Sequence, residues 1–102
     1  MAFMEIELKL LIRPQDAPAL RDHPLLRQYA AGPARDVQMS DTYFDTTRQL
    51  LKHAGAGLRV RRIGDDYIQT LKAGGDASAG LHRRYEWESK VAGPEPDLAA
   101  LR

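Results

Sequence analysis

Glu5, Glu7 and Lys9 alternate with Ile6, Leu8 and Leu10 near the start of the chain. In an extended segment successive side chains point to opposite faces, so two carboxylates and an ammonium share one row and three aliphatic side chains the other. Same-face neighbours stand about 7 Å apart, a span that two carboxylates can close around one divalent ion held at about 2.1 Å per oxygen. The same alternation describes a half-exposed antiparallel strand whose charged side faces water, and taken alone the segment favours that plainer reading. Later segments repeat the chemistry. Arg59 and Arg61 share a face of Leu58 to Ile63, and Lys72 closes the row Ile68, Thr70, Lys72. Arg84, Glu86 and Glu88 share a row with Lys90, opposite Arg83, Tyr85, Trp87 and Ser89.

One sheet face would thus collect Glu5, Glu7, Lys9, Arg59, Arg61, Lys72, Arg84, Glu86 and Glu88. On a solvated face these groups form cross-strand ion pairs worth about 0.2 to 1 kcal/mol each. Lining a cavity they must be paired or bound to ions, and carboxylates mixed with arginines then call for a metal and a polyanion together. A polyphosphate with Mg²⁺ or Mn²⁺ meets that demand: guanidinium forks and ammoniums hold phosphate oxygens, and carboxylates hold a hard cation. The matching chemistry is attack of water on a terminal phosphorus, with metal and cations neutralising the phosphoryl group. The sequence has no P-loop or other Gly-rich phosphate cradle, so side chains must do the binding.

The elements that would position these residues are mostly strands. A strand is predicted from Met4 to Ile12, closed by Arg13-Pro14. A short helix follows, capped by Asp16 with Pro18 in its first turn and ended by His23-Pro24; Leu25 and Leu26 begin a further turn. Ala31-Gly32-Pro33 reads as loop, Asp36 to Asp45 as an extended strand, and Asp45-Thr46-Thr47 as the start of a turn or short helix carrying Leu50 and Leu51. Asp45 can cap that turn. Leu58 to Ile63, Tyr67 to Ala73 and Leu81 or His82 to Val91 form an antiparallel meander, with a hairpin at Gly64-Asp65-Asp66. The Gly/Ala/Ser/Asp-rich run Gly74 to Gly80 is expected to be a mobile lid or disordered tip. Ile6, Leu8, Leu10, Leu58, Val60, Leu71, Tyr85 and Trp87 are the expected buried cover. Asp97 caps a last helix with Leu98 and Leu101 at helical spacing, which reaches Arg102 after barely one turn. The expectation is an α+β domain, mainly antiparallel β, belonging to a longer protein or cut from one.

Composition narrows the class. A chain of 102 residues provides one small domain, and 43% hydrophobic with 28% charged residues is ordinary for a folded globular protein. The net charge of +1, from 15 basic and 14 acidic residues, gives no overall field for nucleic acid or an anionic membrane. Interleaved carboxylates argue against a nucleic-acid footprint through Arg59, Arg61, Arg62, Arg83 and Arg84. Without cysteine there is no disulfide framework and no thiolate metal site. Glu5 and Glu7 interrupt any signal-peptide core, and no apolar run reaches membrane-spanning length, so a cytoplasmic location is the default. His23, His53 and His82 form no ligand-spaced cluster and are read as surface or capping residues.

Glu5-Ile6-Glu7-Leu8-Lys9 resembles the E-x-E-x-K signature of the CYTH superfamily, the triphosphate tunnel metalloenzymes. Asp41-Thr42-Tyr43-Phe44-Asp45-Thr46, Leu58-Arg59-Val60-Arg61, Thr70-Leu71-Lys72 and Arg84-Tyr85-Glu86-Trp87-Glu88 are similar, in order, to that family's later segments, between Met4 and Val91. The resemblance implies an eight-stranded antiparallel tunnel with a charged interior that acts on triphosphates with a divalent metal. About five of those strands are counted here, so the chain is expected to be the N-terminal part, 1–102, of a single CYTH domain, ending inside the helix that starts near residue 97. Carried over by position, Glu5 and Glu7 are metal carboxylates, and Lys9, Arg59, Arg61, Lys72 and Arg84 contact phosphate. Glu86 and Glu88 bind metal or orient water, and Lys9 has a catalytic part. The resemblance implies an inorganic triphosphatase first, with thiamine triphosphatase, class IV adenylyl cyclase or a non-catalytic polyphosphate-binding module as alternatives. An open sheet of this kind is expected to pair, as a homodimer or with the missing C-terminal half.

Overall fold

The computed structural model describes residues 2–101. Five strands form one antiparallel sheet: β1 (Ala2–Leu8), β2 (Met39–Phe44), β3 (Gly57–Ile63), β4 (Asp66–Ser78) and β5 (Leu81–Val91), in the order β1-β5-β4-β3-β2. The helices are short: α1 (Ala17–Arg21), α2 (Pro24–Tyr29) and α3 (Leu50–His53), with 3-10 turns at Pro14–Asp16 and Leu98–Leu101. The chain is therefore α+β and mainly antiparallel β, as expected. Among the described residues, no helix is long and apolar enough to cross a membrane.

Strand ends differ from expectation where partners run out. β1 stops at Leu8 rather than Ile12, because its partner β5 begins at Leu81, which faces Leu8 in register. One further rung survives, Lys9 N donating to the Gly80 carbonyl at 2.8 Å. β2 begins at Met39, which faces Ile63 at the end of β3. His23 caps α2, its Nδ1 accepting from Leu25 N at 3.1 Å. Asp16 stands at the N-cap of α1, but its carboxylate accepts from Arg13 Nε at 2.8 Å instead of capping.

The expected mobile lid is a β-hairpin. β4 runs on to Ser78, with a register shift between Ala73 and Asp76, and pairs again through Asp76–Arg83, Ala77–His82 and Ser78–Leu81. Gly74 and Gly75 supply the shift with φ of +66° and +79°. A Cβ on Gly75 would lie 1.7 Å from the Arg83 carbonyl oxygen, so only glycine fits there. Ala79 and Gly80, at φ +51° and +84°, form the two-residue turn with both central φ positive that right-twisted strands favour. Asp76 receives the Arg83 guanidinium on both oxygens at 3.1 Å. Small polar residues thus read as loop where backbone pairing decides for strand.

The core lies on the sheet face away from the charged row. Leu58 and Val60 are buried as expected and Val91 joins them, with Leu71 and Trp87 half-buried. Ile6, Leu8, Leu10 and Tyr85, also expected in the cover, are exposed. The segment around Asp97 and the last 3-10 turn pack on the middle strands, and β1 is an edge strand beyond their reach. Gln69 is fully buried and clasps that segment: its Nε2 donates to the Asp97 carbonyl at 2.9 Å and its Oε1 accepts from Asp97 N at 2.8 Å. Asp97 caps the turn as predicted, accepting from Ala99 N at 3.1 Å.

Candidate active site

Register brings the charged rows together. Glu5 faces Arg84 and Glu7 faces His82 across β1 and β5. Lys72 faces Glu86 and Thr70 faces Glu88 across β4 and β5, while Arg59 faces Thr70 and Gly57 faces Lys72 across β3 and β4. With period two, all these side chains stand on one face. Glu5, Glu7, Arg59, Lys72 and Arg84, with Lys9, wall a cavity of about 180 Å³ on that face.

The carboxylates gather around one ammonium. Lys72 Nζ lies 2.8 Å from Glu5 Oε2, 3.8 Å from Glu86 and 3.9 Å from Glu7. It also donates to Glu5 Oε1 at 3.0 Å. This contact holds the Glu5 carboxyl below its ordinary range. Glu86 is buried, and desolvation, together with the neighbouring Glu5 and Glu88 carboxylates, pushes its carboxyl up to about 7. Lys9 sits 3.4 Å from Glu7 in an exposed pair.

Arg59 and Arg84 are held differently. Arg59 Nη2 donates to the Thr70 hydroxyl at 3.3 Å, and its Nε is buried without a partner. Arg84 Nη2 donates to the Gly55 carbonyl at 2.7 Å. Among the described residues neither guanidinium has a carboxylate within salt-bridge distance. Both bring uncompensated positive charge to the cavity, and such charge suits a polyanion.

Three predicted site residues stand outside the cavity lining: Arg61, Glu88 and Glu86, the last of them buried beside Lys72. Arg61 is engaged bidentately by Asp41, at 2.7 Å and 2.8 Å, and the pair lowers the Asp41 carboxyl and raises the guanidinium. Glu88 is exposed, on the same face as Glu86 and one step along β5. Asp45 is a cap: its carboxylate accepts from the Thr46, Leu51 and Lys52 amides at 2.7 Å, 2.9 Å and 3.1 Å. Tyr43, Thr70 and His82 line the cavity without having been expected there. Alternation carried the signal, since Thr70 shares the row of Lys72 and His82 that of Arg84.

The donors for a metal are carboxylate oxygens alone, the set that hard divalent cations prefer. Among the described residues, no three carboxylates or imidazoles are arranged to enclose an ion. Glu5, Glu7 and Glu86 converge instead on the Lys72 ammonium, a cation standing in the acidic corner. Mg²⁺ is ordinarily held by one or two carboxylates together with substrate oxygens and water, so this donor set fits it without a full protein cage.

The CYTH domain family matches residues 4–102. The chain is similar to an inorganic triphosphatase of Haemophilus influenzae, 33% identical over 99 residues. That match covers 96% of this chain and 28% of the length of the Haemophilus protein.

Proposed function

Because the chain belongs to the CYTH domain family, we propose that its charged cavity holds a triphosphate with a divalent cation, Mg²⁺ or Mn²⁺, for hydrolysis of inorganic triphosphate. The observation that carries this reading is the pair Arg59 and Arg84, which spend their donors on a hydroxyl and a carbonyl beside the acidic corner. A site built only from internal ion pairs would have neutralised them.

Glu5 and Glu7 hold the metal, with Glu86 and Glu88 completing its surroundings or orienting the attacking water. When bound, the ion supplies Lewis-acid stabilisation of phosphoryl charge. Lys9, Arg59, Lys72 and Arg84 hold phosphate oxygens, and Lys9, an exposed member of the lining, neutralises charge on the reacting phosphoryl group. Arg61 would have to exchange Asp41 for a phosphate oxygen to serve as a phosphate contact. The Haemophilus relative is an inorganic triphosphatase, which supports the choice of substrate.

A second reading, an organic triphosphate such as thiamine triphosphate or a nucleotide, is favoured by Tyr43, whose exposed ring lies at the cavity edge. The open edges of β1 and β2 would allow a second copy or a further part of the protein to extend the sheet. The intact protein is expected to release phosphate from tripolyphosphate with Mg²⁺ or Mn²⁺ in preference to thiamine triphosphate or ATP. Absence of phosphate release, or full rates in Glu5→Gln and Glu7→Gln, overturns the reading. Binding without turnover over hours would favour a non-catalytic module.

A further inference from the structure

We propose that Lys72 is a built-in counter-ion for the acidic corner, which a divalent ion must displace, so that metal loading and release of the Lys72 ammonium toward substrate are one event. This rests on the triphosphate and metal reading above and adds an order to it.

The four cations of the cavity are held in two ways, Lys9 and Lys72 by carboxylates and Arg59 and Arg84 by neutral acceptors. Arg59 and Arg84 lie on neutral acceptors and can receive phosphate as they stand. Lys72 cannot, because its ammonium is bound by both oxygens of Glu5, at 2.8 Å and 3.0 Å, with Glu86 and Glu7 within 4 Å. The contact spans 67 residues, from the edge strand β1 to the middle of the sheet, across β5. Without it, Glu5 and Glu86 would face each other as unneutralised carboxylates at a partly buried site.

A cation carrying two charges competes directly for Glu5, since both need the same oxygens. Lys72 also has room to leave. Its cross-strand neighbour on β3 is Gly57, and a side chain there would meet nothing within 4 Å. The released ammonium can therefore swing over the glycine and join Lys9, Arg59 and Arg84 as a phosphate-binding cation. Metal and triphosphate must then favour each other's binding reciprocally.

The test is metal affinity in the absence of any triphosphate. In the intact protein, Lys72→Met should raise Mn²⁺ affinity about tenfold, the scale expected when one charge-assisted competitor for the carboxylates is removed. Arg59→Met removes equal charge from the same cavity but touches no carboxylate, and should change it less than about threefold. Unchanged or weaker Mn²⁺ binding by Lys72→Met, or an equal gain in Arg59→Met, overturns the proposal. A second measurement needs no substitution. The Lys72 side-chain ¹⁵N resonance of the unaltered protein should shift and its ammonium protons should exchange faster as Mg²⁺ saturates the site. A resonance that stays fixed through saturation overturns the proposal. Unaltered protein that binds no Mn²⁺ removes this inference and the metal reading together, whereas normal binding with no Lys72 effect removes the inference alone.

Discussion

Replacing Arg59 by methionine separates binding from folding. The guanidinium has five N–H donors, and the structure commits one to a hydroxyl at 3.3 Å and leaves Nε buried and unbonded. For binding, the substitution removes a charge-assisted contact to phosphate worth about 1.5 to 3 kcal/mol, or a factor of roughly 10 to 150 in affinity. For folding, two smaller effects oppose each other. The Thr70 hydroxyl, almost fully buried, loses its donor, at a cost of about 1 kcal/mol. A half-buried charge without a counter-ion disappears, and an apolar side chain of similar length takes its place, which is neutral to stabilising. The melting temperature should therefore move by less than about 4 °C while tripolyphosphate binding falls at least tenfold. Calorimetric titration and a thermal melt on the same preparation read both quantities. Affinity within threefold of the unaltered protein would refute the assignment of Arg59 to phosphate. A collapse in melting temperature would show that the guanidinium holds the sheet together.

Gly75→Ala should destabilise by about 3 kcal/mol in urea unfolding, because a Cβ there meets the Arg83 carbonyl and φ is positive. Gln69→Leu should cost about 2 kcal/mol, the worth of two hydrogen bonds to the Asp97 backbone, and should speed amide exchange around residues 97–101. Asp41 has its carboxyl lowered by Arg61, so its contribution to stability is present above the ordinary aspartate range and is lost as pH falls through the depressed value. Asp41→Asn should flatten the acid side of the stability profile and cost about 0.5 to 1 kcal/mol at neutral pH, as measured by melts from pH 7 down to strongly acid solution. His82→Leu should weaken tripolyphosphate binding by about threefold, since the imidazole lines the cavity opposite Glu7; unchanged binding would return it to the surface.

The charged rows were legible because period-two alternation places side chains without knowledge of pairing, and Glu5, Glu7, Arg59, Lys72 and Arg84 do share one wall. Register was not legible, and register decides which charges meet. Arg61 looks equivalent to Arg59 in sequence, yet Asp41 stands opposite Arg61 and Tyr43 opposite Arg59. One is therefore paired and the other is not. The aliphatic row of β1 has the pattern of a core face, but burial depends on what packs above it, and the covering segment clasps Gln69 in the middle strand. The run from Gly74 to Gly80 has loop composition, and its strand character comes from the backbone of β5.

Among the described residues β1, the first strand, pairs only with β5, the last of the five. β2, β3, β4 and β5 can zip together as neighbours in order of synthesis, but β1 has no partner until Leu81 to Val91 has been made. Glu5 and Glu7 thus wait while the residues up to β5 are made, next to an aliphatic row that stays in water. The acidic corner is the last part of these five strands to assemble, and the nascent chain must be kept from pairing β1 with something else in the meantime.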